Sequence, residues 1–154
     1  MIIRPAKDMN AVKAFLIQPE VWERASEDYE DVSQFYPHND ELSVWLECVD
    51  DGDFIGLILV HHDNSTTLRI HPYMASKEKS REMMSDFFKW VLTLPDQIQK
   101  IIVTIPSCYK IVHNFARKVG FIDEGINRLS YTKGGKLYDQ WNLGITRAEI
   151  EVLS

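Results

Sequence analysis

The sequence predicts a single α+β domain, residues 1–154, in which helices pack on a mixed sheet. The chain has 154 residues, 45% of them apolar, which is enough to build one buried core. Apolar runs of strand length, such as 54–60, alternate along the chain with segments whose apolar residues recur at helical spacing. No repeat, low-complexity tract or linker interrupts this order. The predicted order of elements is β-α-α-β-β-β-α-β-α-β-β.

The first third of the chain predicts one strand and two helices. The strand covers 1–4, a helix covers 7–17, and a shorter helix covers 20–29 after the helix-breaking Pro19. Carboxylates line the outer face of the second helix and the residues after it, at Glu23, Glu27, Asp28, Glu30 and Asp31. Such a charge run is typical of a solvated face, and the alternative is a surface that attracts a cationic substrate. The segment 31–41 is predicted to be a loop.

Three strands and a long helix follow. Strands over 43–49 and 54–60 form a hairpin around the turn 50–53, and the second is apolar throughout, as expected for a strand buried on both faces. A third strand runs through Leu68, Arg69 and Ile70 and stops at Pro72. The helix buries Met83, Met84, Phe87, Phe88 and Val91, with Ser76 or Ser80 as its N-cap, and ends near residue 94.

The last third predicts a strand, a helix and a closing hairpin. The strand covers 100–105, and the helix over 109–119 turns Ile111, Val112, Phe115 and Val119 inward and stops at Gly120. Strands over 121–128 and 137–144 surround a glycine turn at 133–135. Thr146 and Glu149 form a capping box that predicts a short final helix.

Composition limits the class of protein. The formal net charge of −6 argues against a nucleic-acid partner, and no apolar run approaches the ~20 residues needed to cross a membrane. The first residues lack the pattern of a signal peptide. Cys48 and Cys108 lie far apart without metal-ligand spacing, so we expect no metal site, no required disulfide, and a reduced cytoplasmic protein.

The segment 66–90 predicts an anion site. A strand leads through a polar loop directly onto the start of a helix, where backbone N–H groups and the positive end of the helix dipole face the same point. Lys77, Lys79 and Arg81 add positive charge there. The alternative is that these side chains are simply solvated, as lysines beside a helix start usually are.

Several motifs resemble the GNAT superfamily of acyl-CoA-dependent N-acyltransferases. The segment HNFARKVGFIDEG at 113–125 is similar to the family's helix ending in Gly-Phe and an acidic-Gly pair. The segments 136–139 and 143–145 resemble the end of many members, and 70–72 resembles the strand that enters the cofactor site. Small GNAT-like proteins encoded by phages suit the short chain and its altered motif.

The resemblance implies that acetyl-CoA binds between two splayed parallel strands, those through Ile70 and Val103. The backbone of Leu68, Arg69 and Ile70 would pair with the pantetheine arm as an added strand does. The pyrophosphate would lie on the loop formed by Ala75, Ser76, Lys77, Glu78, Lys79 and Ser80.

The chain departs from the family pattern at several positions. Ala75, Glu78 and Ser80 replace the residues of the family's Gly-rich phosphate loop, and Glu78 brings a negative charge toward a negative ligand, which Lys77 and Lys79 would offset. Cys108 occupies the position of a cofactor-contacting Asn. Phe115 occupies that of the Tyr that protonates the thiolate, so the acid must come from elsewhere.

Transfer of an acyl group to an amine needs a base for the ammonium proton and an acid for the thiolate. Tyr109 is the first candidate for the acid, with Tyr73 and Tyr131 as alternatives. His71 and Glu47 are candidates for the base, as are His61 and His62, which point to opposite faces of one strand. For each of these residues the alternative is a purely structural role.

Two functions remain open at this point. The first is an acetyl-CoA-dependent N-acetyltransferase that acts on an unidentified amine, which is a small molecule, a peptide N-terminus or a lysine. The second is a catalytically inactive protein of the same fold that serves as a binding or assembly module. The resemblance also implies a possible homodimer.

Overall fold

The computed structural model describes residues 1–154. Its seven strands are β1 (Ile2–Pro5), β2 (Ser43–Asp50), β3 (Asp53–His62), β4 (Thr67–Met74), β5 (Lys100–Pro106), β6 (Ile122–Lys133) and β7 (Lys136–Thr146). Its five α-helices are α1 (Met9–Leu16), α2 (Pro19–Ala25), α3 (Ser80–Val91), α4 (Lys110–Val119) and α5 (Arg147–Leu153). Short 3-10 turns cover Val32–Gln34 and Lys77–Lys79. The element order confirms the predicted α+β domain.

All strands form one sheet in the order β1-β2-β3-β4-β5-β7-β6. Every neighbouring pair is antiparallel except β4 and β5, which are parallel. This mixed pattern follows from the connections, because tight turns join β2 to β3 and β3 to β4, whereas α3 lies between β4 and β5 and returns the chain in the same direction.

The two parallel strands separate soon after they begin. Only Thr67–Arg69 of β4 pairs with 100–102 of β5, although β4 continues to Met74 and β5 to Pro106. The splayed central strands are therefore confirmed, and they separate before Ile70 and Ile105. The prediction that β4 ends at Pro72 is wrong. Proline is tolerated there because β4 has already lost its neighbour on the β5 side.

The two faces of the sheet are packed differently. Twenty buried residues form the main core beneath α3 and α4, including Phe87, Ile70 and Ile105. A second cluster of six buried residues, which includes Trp45 and Leu57, packs under α1 and α2. We call these the α3/α4 face and the α1/α2 face. Side chains alternate along β4, so Ile70 lies on the first face while His71 lies on the second.

Helix α4 corrects a sequence prediction. Ile111 and Val112 are 85% and 49% exposed, whereas His113 and Ala116 are buried. The His113 ring packs on Trp141 at 3.9 Å between centroids, and its Nε2 lies 2.5 Å from Asp123 Oδ1. These partners let a polar residue take the inward position that the apolar pattern assigned to Ile111 and Val112.

Helix ends also differ from the predictions. Helix α2 ends at Ala25 rather than near 29, and α3 has Lys79 as its N-cap, with Ser80 as its first residue. The capping box at Thr146 and Glu149 is present and begins α5. None of the helices is long and apolar enough to cross a membrane.

Candidate functional site

The gap between β4 and β5 exposes backbone groups that have no strand partner. Hydrogen bonds from Asp63 N–H to Thr67 and from Ala75 N–H to Ile55 fix the alternation of β4. The backbone groups of Ile70, Pro72 and Met74 therefore face β5, while those of the residues between them face β3. The same alternation directs Thr104 of β5 toward β4. The gap is thus lined by carbonyl and N–H groups, except at Pro72, which has no N–H.

This geometry corrects the predicted cofactor contacts on β4. Arg69 directs its backbone groups to β3, and Leu68 directs its own to the paired part of β5, so neither residue offers an open edge. The open edge of β4 begins at Ile70. The predicted backbone contact with the pantetheine arm thus remains available at Ile70. The β4 residues after Ile70, rather than Leu68 and Arg69, would supply the other contacts.

The loop after β4, residues 75–80, leads onto α3. The N–H groups of Ala75 and Ser76 already donate to Ile55 O, at 2.9 and 3.2 Å. No side chain caps the 3-10 turn or α3, and Ser80 Oγ instead donates to Lys77 O at 2.7 Å. Ser76 and Ser80 are therefore not side-chain caps of α3. No side chain competes with an incoming anion for the first N–H groups of that helix.

The charges of this loop are not equivalent. Lys79 Nζ lies 2.9 Å from Asp50 Oδ2 and 3.3 Å from Glu82 Oε2, so its charge is already neutralised by carboxylates. Asp50 belongs to β2, on the side of the sheet away from β5. Lys77 and Arg81 are exposed and form no ion pair, and neither does Glu78. In this structure the charge of Lys79 is taken up by carboxylates, whereas that of Lys77 remains available for an anion.

A row of polar side chains crosses the α1/α2 face where the strands separate. Arg69 donates to both carboxylate oxygens of Asp63, at 3.1 and 3.0 Å, and to Thr104 Oγ1 at 2.5 Å. Thr104 Oγ1 in turn lies 3.3 Å from Asn142 Oδ1 on β7. The Arg69 side chain therefore links β4 to β5 at the closed end of the gap.

Two histidines lie beside this row. His71 Nε2 is 3.2 Å from His61 Nε2, and the ring planes are within 11° of parallel. The ring centroids are 5.3 Å apart, farther than the two nitrogens, so the rings meet edge to edge. Burial, with smaller effects from His61 and Arg69, lowers the pKa of His71 to about 4. His71 is therefore neutral at pH 7.

Tyrosines lie at the other wall of the gap. Tyr109 is the N-cap of α4, in the turn that follows β5, and its ring meets that of Tyr131 edge to face at 6.4 Å. Tyr131 donates to Ser26 O at 3.1 Å, and burial raises its pKa. The Tyr109 hydroxyl lies near that of Tyr131, and a hydrogen bond between the two side chains contributes to the raised pKa of Tyr131.

Cys108 lies in the same turn, half-buried, and burial raises its thiol pKa. Cys48 is buried in the core, and burial raises its pKa to about 12. Both thiols are free and poor nucleophiles at neutral pH. Phe115 packs against the main core, so it takes no part in proton transfer.

The acidic end of α2 is bound to the β6–β7 hairpin. Glu27 Oε2 accepts from the N–H and hydroxyl of Thr132, both at 3.1 Å. Asp28 accepts from the N–H groups of Gly134 and Gly135, two residues whose φ angles of 59° and 76° make this tight turn. The expectation of a wholly solvated acidic face is therefore wrong for Glu27 and Asp28. This contact holds the chain after α2 against the hairpin.

Glu47 lies away from the gap. It belongs to β2, two strands from β4, and its carboxylate is 3.5 Å from Arg4. Neighbouring strands are about 4.8 Å apart, which puts Glu47 roughly 10 Å from β4. The structure therefore removes the geometric basis for Glu47 as a base and leaves His71 beside the gap.

Two cavities lie outside the gap. One of about 420 Å³ lies near the C-terminal end of α3, lined by residues that include Leu42, His62 and Trp90. One of about 340 Å³ lies under α1 and α2 beside Met74 and Ala75. The smaller cavity reaches the end of β4 and also contacts Phe54 of the neighbouring β3.

No family model matches this sequence, and no curated protein matches it. Solved structures do match. The spermidine N-acetyltransferase from Vibrio cholerae in complex with CoA and spermine superposes with a TM-score of 0.80 and 14% identity, over 97% of each chain.

Mutant forms of the spermidine/spermine N-acetyltransferase from Vibrio cholerae give a TM-score of 0.77 and 16% identity, over 99% of this chain and 98% of theirs. The same enzyme in complex with manganese ions gives 0.76 and 16%, over 99% and 96%. These proteins are GNAT-superfamily members. The present chain has their fold over nearly its whole length, and the sheet with splayed β4 and β5 is a GNAT fold.

Proposed function

We propose that this protein is an acetyl-CoA-dependent N-acetyltransferase that acts on a primary amine. The observation that carries the proposal is the gap between β4 and β5, which leaves backbone groups of both strands without partners and opens beside the start of α3. Unpaired strand edges of this kind bind extended ligands by added-strand hydrogen bonding. The fold shared with a CoA-bound N-acetyltransferase supports the same assignment.

The residues at the gap suit the pantetheine and pyrophosphate of CoA. Ile70, Met74 and Thr104 supply backbone groups for an extended arm. The 3-10 turn before α3 supplies the N–H groups of Lys77 and Glu78 for a phosphate, because those of Lys79 and Ser80 already donate to Ser76 O and Lys77 O. Lys77 is the loop lysine with a free charge. Glu78 opposes the ligand, at a Coulomb cost of about 1–4 kcal/mol at contact distance. When bound, acetyl-CoA supplies the acyl group as a thioester.

The chain's own residues would handle the protons. An amine must lose a proton before it attacks, and neutral His71, on the α1/α2 face beside the gap, is the base that we assign. Tyr109, in the turn that follows β5 and with its hydroxyl beside that of Tyr131, is the acid that we assign for the departing thiolate. Tyr131 is a weaker candidate because its hydroxyl is already bonded to Ser26.

The negative charge on the α1/α2 face supports a cationic amine as the acceptor. Glu20, an exposed carboxylate that forms no ion pair, lies on α2, which covers this face. Glu30 lies close enough to the Tyr73 hydroxyl to contribute to its raised pKa of about 12, with burial as the larger cause. Negative charge at this site favours a cationic acceptor. Spermidine is the first acceptor to test, because similar structures are spermidine N-acetyltransferases.

The test compares two variants of one loop residue. Ser76 precedes the 3-10 turn with extended backbone and an unused side chain, so Ser76→Asp places a carboxylate where the pyrophosphate would bind. Ser76→Asn has nearly the same shape without the charge. We expect wild type and Ser76→Asn to bind CoA in calorimetry, and Ser76→Asp to bind at least 10-fold more weakly at equal melting temperature. Equal affinity of the two variants would contradict a phosphate site at this loop.

The alternative of an inactive binding module is favoured by one observation: the loop has no glycine, and Glu78 is exposed there without an ion pair. An activity assay distinguishes the enzyme from the module. The protein is incubated with acetyl-CoA and either spermidine or a lysine peptide, and acetylated product is detected by mass spectrometry. CoA binding without product from any amine, with intact folding, would favour the module. Absence of CoA binding in the millimolar range would overturn the proposal.

A further inference from the structure

We propose that His71 and His61 act together as a two-step proton path, in which His71 takes the proton of the acceptor amine and passes one to His61. This inference rests on the proposed function. It concerns His61, on β3, which lies one strand away from the gap and acts only through His71. The pair arises from strand register, because Leu59 lies opposite His71 and His61 lies diagonally across from it.

The geometry suits proton transfer between the rings. Two neutral imidazoles whose Nε2 atoms are 3.2 Å apart form a hydrogen bond in which one ring donates and the other accepts. The edge-to-edge arrangement aims the N–H of one ring at the lone pair of the other. A path toward solvent needs His71 as donor and His61 as acceptor, which places the remaining proton of His61 on Nδ1.

Both ends of the path are open. Neither His71 Nδ1 nor His61 Nδ1 has a hydrogen-bond partner in the protein. Both residues are only partly buried, and no buried polar side-chain atom lacks a partner, so both Nδ1 atoms reach the surface. His71 Nδ1 is therefore free to accept a proton from an amine, and His61 Nδ1 is free to release one to water.

Few charges act on the pair. The charged and titratable groups that face His71 are His61, Arg69 and Asp63. Asp63 faces both histidines, and Arg69 holds its carboxylate through two hydrogen bonds. Asp63 favours a positive charge on His71 and Arg69 opposes one, and the effect of Arg69 is the larger, so the ion pair does not hold a proton on His71.

The step balances as follows. His71 Nδ1 accepts a proton from the ammonium group, and the amine keeps its lone pair for attack. His71 Nε2 gives its proton to His61 Nε2, which leaves His71 neutral and His61 cationic. His61 Nδ1 then loses its proton to water. After the product leaves, water protonates His61 Nδ1 and takes the proton of His71 Nδ1, while the Nε2 proton returns from His61 to His71, which restores the starting tautomers.

The test uses three matched substitutions: His71→Gln, His61→Gln and, as the control, His62→Gln. His62 is exposed, lies next to His61 and points to the opposite face of β3. At pH 7 we expect kcat to fall at least 100-fold for His71→Gln and about 10-fold for His61→Gln, with CoA affinity and acceptor KM within 3-fold of wild type. The control should match wild type.

Two further readouts separate proton transfer from a structural role. The rate of His71→Gln should rise about 10-fold per pH unit between pH 7 and 9, as free amine becomes available without a base. Nitrogen-15 NMR of the wild-type rings should show opposite tautomers, with the proton on Nε2 of His71 and on Nδ1 of His61. The NMR readout needs no activity, so it tests the pair even if acetyl transfer is never found.

Wild-type pH dependence in both His71→Gln and His61→Gln would overturn the path while leaving the proposed function intact. Identical tautomers in the two rings would also overturn it. An inactive wild type that still shows opposite tautomers would contradict the proposed function, and the path with it as a catalytic device.

Discussion

One face of the sheet holds most of the apolar core, and the other carries the polar residues of the proposed site. The α3/α4 face buries twenty residues in a continuous apolar cluster, with Phe87, Met83 and Ile101 fully buried. The α1/α2 face buries six, and where β4 and β5 separate it carries Arg69, His71 and Thr104 instead. The comparison teaches that the same strands, by alternation of side chains, can support a dry core on one side and a polar site on the other.

The difference has an energetic cause. Apolar burial on the α3/α4 face contributes roughly 25 cal/mol per Å², without any need for exact hydrogen-bond partners. Polar groups on the α1/α2 face must each find a partner or reach water, and here they do, since no buried polar side-chain atom is unsatisfied. Substitutions on the first face should therefore change stability at every pH, and substitutions on the second should change binding, catalysis and the pH dependence of stability.

The largest effect tests the α3/α4 face. Phe87 is fully buried and contacts Phe88 and Trp90, with ring centroids at 6.1 and 5.7 Å. Phe87→Ala should lower the free energy of unfolding by about 3–5 kcal/mol through lost burial and the cavity left behind. Urea denaturation measures this. If the two faces act independently, the folded fraction of Phe87→Ala should bind CoA with wild-type affinity. A loss of CoA affinity comparable to the loss of stability would show that they do not.

Acid sensitivity tests the α1/α2 face. The pKa of His71 is about 6.5 in the unfolded chain and about 4 in the folded chain. The unfolded state therefore binds more protons between these two pH values. The stabilisation that neutral His71 provides is complete above pH 6.5 and is lost as pH falls toward 4. By the linkage of 1.36 kcal/mol per pKa unit, the loss reaches about 3 kcal/mol.

His71→Gln isolates this contribution. The variant should show a flatter dependence of unfolding free energy on pH between 6.5 and 4.5, measured by urea denaturation at several pH values. Carboxylates with lowered pKa, such as Asp63 and Asp123, lose their stabilisation only at lower pH. His62→Gln serves as the control and should keep the wild-type slope. An unchanged slope in His71→Gln would mean that burial does not hold this ring neutral.

The periodicity of apolar residues correctly predicted the elements that are determined by their own local sequence pattern. The apolar run of β3, the apolar stripe of α3 and the strand β5 were all found close to their predicted positions, because one dominant pattern determines each. The splay of β4 and β5 was predicted through the family resemblance. Pro72 is the local signal that supports it, since a strand proline marks a missing neighbour.

The features that the sequence did not predict arise from contacts between residues that are distant in sequence. Lys79 is neutralised by Asp50, 29 positions away, and Glu27 is bound by Thr132, 105 positions away. His113 turned inward because Asp123 and Trp141 were there to receive it. The pairing of His61 with His71 could have been found, because the turn at 63–66 sets the register of β3 and β4.

The smallest effect distinguishes two lysines of one loop. Lys77 is exposed and unpaired, while Lys79 already binds Asp50 and Glu82. Lys77→Ala should weaken CoA binding by about 1 kcal/mol, roughly 5-fold, and the loss should shrink in high salt because exposed charges are screened. Lys79→Ala should leave CoA affinity within 2-fold and instead slightly lower the unfolding free energy, through the loss of its two exposed ion pairs. Calorimetry at two salt concentrations measures both, and a larger loss of affinity for Lys79→Ala would mean that its ion pairs open when the ligand binds.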